Sequence, residues 1–198
     1  MFWGILPWGA ASFGRAGYDS FPSLTETITM SKISMHAASA PAFAKMFGNM
    51  LNWLEAAKAH AEAKKFSTDV YLTLRLAPDM LPLPKQIQIA SDAAKGCVAR
   101  LAGQEIPKYE DNEATLDDLI ERIKKTRDYV LSVPAEAFEG SEDREITIPR
   151  RTGDPLKFDG LTYLRHFATP NFYFHVTTTY ALLRHAGVPL GKNDYLGG

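Results

Sequence analysis

A single cysteine, Cys97, in 198 residues excludes an internal disulfide, and nothing else in the chain asks for an oxidising compartment, so the reducing cytoplasm is expected. No uninterrupted apolar run reaches the roughly 20 residues needed to cross a bilayer. Charges, glycine and proline break every candidate, and no membrane segment is expected. The opening stretch Met1 to Phe13 is apolar, but its first basic residue, Arg15, follows that stretch, the reverse of a secretory signal. A basic excess is also missing. Lys and Arg number 22 against 23 Asp and Glu, a net charge of -1, which gives no footing for phosphate neutralisation and argues against nucleic acid as a partner. Glycine-rich phosphate loops, nucleophile elbows, His-Glu-x-x-His helices, internal repeats and low-complexity tracts are likewise lacking.

What is present is helical periodicity over a chain whose 45% apolar and 11% aromatic content can bury one core. Residues 1–29 lack such periodicity and are expected to be a disordered or additional extension, with one domain over 30–198. Phe43, Phe47, Met50, Leu54, Ala57 and Ala61 mark a helix over about Ala37 to Lys65. Pro78, Pro82 and Pro84 forbid a long helix next, so 66–84 reads as a packed connector with one short helix near Val70. A second helix runs from about Pro84 to Ala102, with Ile87, Ala90, Ala94, Cys97, Val98 and Leu101 on its stripe and Gly103 as its stop. Thr115 caps a third that Pro134 ends. Arg144 to Pro149 and Pro155 to Phe158, around a Thr152-Gly-Asp154 turn, read as a small hairpin. A last helix covers about Leu161 to His185 and contains Pro170, which predicts a kink or a restart capped by Thr169. The fold class is all-α: a four-helix bundle with a crossover connection and a small β-hairpin before the last helix.

Five histidines, His36, His60, His166, His175 and His185, are the obvious metal ligands, yet none is three or four residues from another. His166 and His175 are nine apart, which at about 100° per residue puts them on opposite faces of a helix. The denser signal is Pro170-Asn-Phe-Tyr-Phe-His175. Asn171 and His175 share a face, and an amide beside an imidazole either grips a polar ligand or simply caps backbone freed by Pro170 while the imidazole bonds inside the bundle. Phe172, Tyr173 and Phe174 read as core. On the second helix Gln86, Gln88 and Asp92 are polar; Gln88 and Asp92 share a face that is either solvated or turned into a polar bundle interior. Arg75 and Asp79 are expected to pair across the connector, and Cys97 to be a small buried hydrophobe.

Arg75-Leu-Ala-Pro-Asp-Met80, Gln86-Ile-Gln-Ile-Ala-Ser-Asp92 with Ala94-Lys95, Pro170-Asn-Phe-Tyr-Phe-His175, and Leu183-Arg-His-Ala-Gly187 with Gly191-Lys-Asn-Asp194 resemble an uncharacterised domain-of-unknown-function family within the DinB/YfiT-like four-helix-bundle superfamily. The resemblance covers about Met30 to Gly198. It implies a bundle that is often dimeric, with a divalent metal held by one histidine on the second helix and two histidines four apart on the last. In that register His175 matches the last histidine, Asn171 stands for the middle one and Gln88 approximately for the first. Amides are weak ligands for zinc or nickel, so no metal or other cofactor is expected, zinc or nickel being implied by the superfamily alone. The resemblance leaves open whether the chain is an enzyme. It points to a small-molecule-binding or transferase-like protein with a degenerate metal site formed by Gln88, Asp92, Asn171 and His175. The alternative is a non-catalytic dimeric scaffold, and in either reading a homodimer is the implied assembly.

Overall fold

The computed structural model describes residues 33–150 and 152–197; the extension expected over 1–29 lies outside them. Helix α1 (Ala40–Lys64) starts three residues later than the periodicity suggested, because residues 34–38 form a turn in which the Ala37 N–H donates to Ser34 Oγ and the Ser39 hydroxyl donates to the Met35 carbonyl. Lys65, in the left-handed region, ends it. The proline-bearing connector carries the short α2 (Asp69–Leu72), whose buried Tyr71 hydroxyl lies 2.7 Å from His60 Nδ1. Arg75 donates to the Met80 carbonyl at 2.8 Å and makes no ion pair with Asp79, so the connector is tied through its backbone rather than by opposed charges.

Helix α3 (Leu83–Ala102) stops at Gly103, whose φ of 67° closes the last turn. A capping box between Thr115 and Asp118 opens α4 (Leu116–Ser132), and Pro134 follows its end. Strands β1 (Ile146–Ile148) and β2 (Leu156–Phe158) pair antiparallel with Thr147 opposite Lys157. The last long helix runs from Gly160 to His185 as α5 (Gly160–Tyr163), a π-helical turn over Leu164–Ala168, and α6 (Thr169–His185). The α-helix restarts at Thr169, beside Pro170, as the proline suggested. Thr169 is itself helical and does not cap; its N–H reaches back five residues to the Leu164 carbonyl, and the wide turn accommodates the missing proline N–H. The short α7 (Lys192–Leu196) folds back on α1, where Trp53 donates to the Asp194 carbonyl, Asn49 donates to the Tyr195 carbonyl, and Tyr195 stacks on Trp53.

Around the bundle, α1 and α3 each pack against α4 and α6. The order is therefore α1, α4, α3, α6, and the chain crosses the bundle twice, through the α2 connector and through the hairpin. Contacts fix the directions. Gln86 meets His175 while Arg100 meets Tyr163, so α3 and the last helix are antiparallel. Phe43 packs on Phe172 and Trp53 on Tyr180, so α1 and α6 are parallel. Gln88 meets Glu113 and Asp92 meets Arg122, so α3 and α4 are parallel and the 103–115 loop runs back along them. Trp53, Phe43, Phe47, Phe172, Met50 and Ile87 are fully buried between the layers. Cys97 is too, and burial raises its thiol pKa far above the ordinary range. Among the described residues no helix is long and apolar enough to cross a membrane.

Candidate functional site

The polar residues of α3 divide between its two flanks. On the α6 flank the buried Gln86 accepts at Oε1 from His175 Nδ1, 2.7 Å away, while its Nε2 donates to the Leu81 carbonyl at 2.8 Å. That second bond fixes the amide orientation, because only nitrogen donates to a carbonyl. Oε1 must then be the acceptor, so Nδ1 carries the imidazole proton and Nε2 is the bare nitrogen. Burial lowers the His175 pKa from its ordinary value, so the ring is neutral at pH 7.

On the α4 flank Gln88 is buried and turned away from this pair; its Nε2 donates to Glu113 Oε2 at 2.7 Å. Asp92 accepts through one oxygen, Oδ1, from Lys95 at 2.6 Å and Arg122 at 3.1 Å. Gln88 thus bonds Glu113, and the partner of His175 is Gln86. Gln86 takes the place in which Gln88 was expected, because two residues along a helix turn the side chain by about 200°. Phe174, read as core, is 56% exposed, whereas Phe172 is fully buried.

Asn171 and Asp92 do come together. They line a cleft of about 160 Å³ between α3 and the last helix, with Arg100 and Tyr163 toward one end and Ile89, Ala93, Ile148, Phe167 and Ala168 as its apolar walls. The π-helical turn contributes Phe167 and Ala168 directly to this wall. Among the described residues the half-buried Asn171 amide has no hydrogen-bond partner, and Asp92 Oδ2 has none either. Arg100 donates to the Tyr163 hydroxyl at 3.2 Å, and no described carboxylate lies within ion-pair distance of its guanidinium. Arg100, Tyr163 and Ile148 were missed in the sequence. Tyr163 is 63 residues from Arg100, and no local pattern signals a contact of that range.

The donors suit a metal poorly. Where three imidazoles would be needed there is one, its Nδ1 held by Gln86, with an amide at Asn171 and Gln88 committed to Glu113. Among the described residues no three His, Cys, Asp or Glu side chains gather into a group able to hold a metal ion. The arrangement can instead orient a small polar molecule through a carboxylate oxygen, an amide and a guanidinium set against apolar walls.

Residues 35–196 match the family described as Domain of unknown function (DUF1993). A crystal structure of a DinB family member protein from Shewanella denitrificans is similar, with a TM-score of 0.77 and 41% sequence identity over 82% of this chain and 92% of that one. No curated protein matches the chain.

Proposed function

The chain belongs to the DUF1993 family, and from that premise we propose that it is a DinB-like protein that binds a small polar organic molecule in the cleft lined by Asp92 and Asn171, without a tightly held transition metal. The observation that carries this reading is the half-buried Asn171 amide, without a partner among the described residues, lining one apolar-walled cleft with Asp92, whose Oδ2 is likewise unengaged. Asp92 is exposed and Asn171 half-buried, so water serves both in the free protein, and a ligand with complementary groups would take the place of that water against the apolar walls. A volume of about 160 Å³ is roughly that of five waters in the liquid, which suits a compact metabolite rather than a large cofactor. The lone, deeply buried cysteine fits a cytoplasmic setting.

The test is a fragment screen read by the side-chain amide resonances of Asn171. Fragments that shift these signals, and lose that effect in Asp92→Ala, support the reading. A diverse library leaving Asn171 unmoved would overturn it. The second reading, a dimeric scaffold, draws on the Gln86–His175 and Gln88–Glu113 hydrogen bonds, which then serve only to hold the bundle. Light scattering that returns 21.9 kDa at every concentration would remove the dimer.

A further inference from the structure

Arg100 is held in an unusual way for a surface-proximal arginine. Its guanidinium folds back along its own helix, so that a Cβ on Gly96 would stand only 2.6 Å from Nη1. The same Nη1 donates to the Tyr163 hydroxyl, and the guanidinium lies over the edge of that ring, 5.9 Å from its centroid. Glycine at 96 and a buried phenol at 163 thus fix the cation at one end of the cleft without neutralising it.

Tyr163 completes the arrangement. Burial, with a smaller opposing effect from Arg100, pushes its pKa up to about 12, so the phenol keeps its proton. Its oxygen accepts from Arg100, and its own O–H has no acceptor among the described residues. A guanidinium hydrogen-bonded to a phenol whose own O–H is unengaged lines the cleft with free donors side by side, which is the complement of a carboxylate.

The other end of the cleft has the opposite character. Asp92 lies eight residues before Arg100 on α3 but only four before Gly96, to which the guanidinium folds back, about 6 Å along the axis, and its charge is already answered through Oδ1 by Lys95 and Arg122. Its Oδ2 and the Asn171 amide oxygen offer acceptors there. Asp92 therefore does not cancel the attraction at Arg100; it sets the polarity of the cleft.

Building on the proposed small-molecule reading, we infer that the cleft takes a short carboxylic acid, its carboxylate held by Arg100 and Tyr163 and an amine or hydroxyl at its far end held by Asp92 and Asn171. Ile89, Ala93, Ile148 and Phe167 enclose the carbon chain between those ends.

The experiment uses the full chain at 150 mM sodium chloride, with the Ile148 methyl and the Asn171 side-chain amide as reporters. The probes are butanoate, 4-aminobutanoate, butanamide and butylamine. Butanoate should bind in the millimolar range, 4-aminobutanoate more tightly, and butanamide at least tenfold more weakly. Arg100→Gln should weaken both carboxylates at least tenfold, and Tyr163→Phe, which removes only the hydroxyl, at least threefold. Gly96→Ala should also weaken them by displacing the guanidinium while the helix keeps its stability, since alanine favours helix over glycine. Butanamide binding as well as butanoate, or an Arg100→Gln loss below tenfold, would overturn the carboxylate assignment while leaving a small-molecule site in place. If none of the probes moves either reporter the assignment also fails, and the fragment screen then decides the wider reading separately.

Discussion

Arg122 is the most consequential charged residue in the bundle, and its removal tests the packing of the 103–115 loop. It is 4% exposed on α4. Nη1 donates to the Glu110 carbonyl at 3.0 Å and Glu113 Oε1 at 2.8 Å and lies 3.1 Å from Asp111 Oδ1; Nη2 reaches Asp92 Oδ1 at 3.1 Å. Tyr109 lies beneath the guanidinium and also beneath the Lys95 and Lys125 ammonium groups, at 4.4 and 4.2 Å. One side chain thus ties α4 to α3 and to the returning loop. Arg122→Met keeps the length of the stem and removes the charge. Asp92 and Asp111, with side chains 49% and 41% exposed, can return to water, but the Glu113 side chain is only 9% exposed and would be left as an uncompensated buried carboxylate. Breaking a buried pair from one side costs about 3–5 kcal/mol, and with two of three partners resolvable the lower bound applies, about 3 kcal/mol.

At about 2–4 °C per kcal/mol for a domain of this size, Tm should fall by about 6–12 °C. Thermal melts followed by circular dichroism read that shift, and urea unfolding reads the free-energy loss. Glu113→Gln in the Arg122→Met background should recover part of the loss by removing the stranded charge. The pH dependence has a definite sign. Burial would raise the Glu113 and Asp111 carboxyl pKa values, but hydrogen bonds from Arg122 and Gln88 to Glu113, and from Lys85 to Asp111 together with the Arg122 charge, leave both lowered. Stability from depressed carboxyls is present above their ordinary range, about pH 4, and is lost as pH falls through the folded values. The difference between wild type and Arg122→Met should therefore narrow from pH 5 to pH 3. A loss under about 1 kcal/mol at pH 7, or a difference that does not change with acid, would refute this account.

His175 should show the Nδ1–H tautomer and a pKa below that of a free histidine in long-range nitrogen–proton NMR; an Nε2–H tautomer contradicts the assigned Gln86 bond. Gln86→Leu strands that N–H and should cost about 1–3 kcal/mol while moving the His175 titration, whereas Gln88→Leu should leave that titration in place. Protein purified without chelators should carry substoichiometric zinc or nickel by elemental analysis, with His175→Ala unchanged; one equivalent lost on that substitution would restore a metal site. Gly160→Ala drives a Cβ into the Ser141 carbonyl oxygen and should destabilise by about 1–3 kcal/mol, so a neutral result in thermal melts would show that the hairpin-to-helix junction gives way freely.

Four long helices, their stops at Gly103 and Pro134, the Thr115 cap and the hairpin were legible because each depends on neighbours a few residues away. The misreadings have the opposite origin. Pro170 predicted a kink or a restart capped by Thr169; the α-helix does restart there, but through a π turn in which Thr169 is helical and its N–H reaches one carbonyl further back instead of capping. Phe174 was grouped with its aromatic neighbours, but it lies two residues from the fully buried Phe172, which rotates it to the outer side of α6. Arg75 satisfied a carbonyl rather than Asp79 because a proline-rich connector leaves backbone acceptors without helical partners.

The site was blurred for a more specific reason, which lies in the geometry of α3. Gln86, Ile89, Ala93 and Arg100 recur at helical spacing and face the last helix; Gln88, Asp92 and Lys95 recur at the same spacing one-half turn away and face α4. A sequence pattern alone cannot say which of two polar stripes looks toward the histidine, so choosing Gln88 over Gln86 exchanged a residue of the ion network for the true partner of His175. Asp92 belongs to both stripes. Its Oδ1 holds Lys95 and the buried Arg122, while its side chain borders the cleft shared with Asn171 and Arg100. The carboxylate is therefore positioned by the same network that pins the 103–115 loop, and a ligand engaging Oδ2 would meet an acceptor whose orientation is already fixed by two cations on the far side. Preorganisation of this kind lowers the ordering cost of binding, and it couples the cleft to the loop through a single side chain.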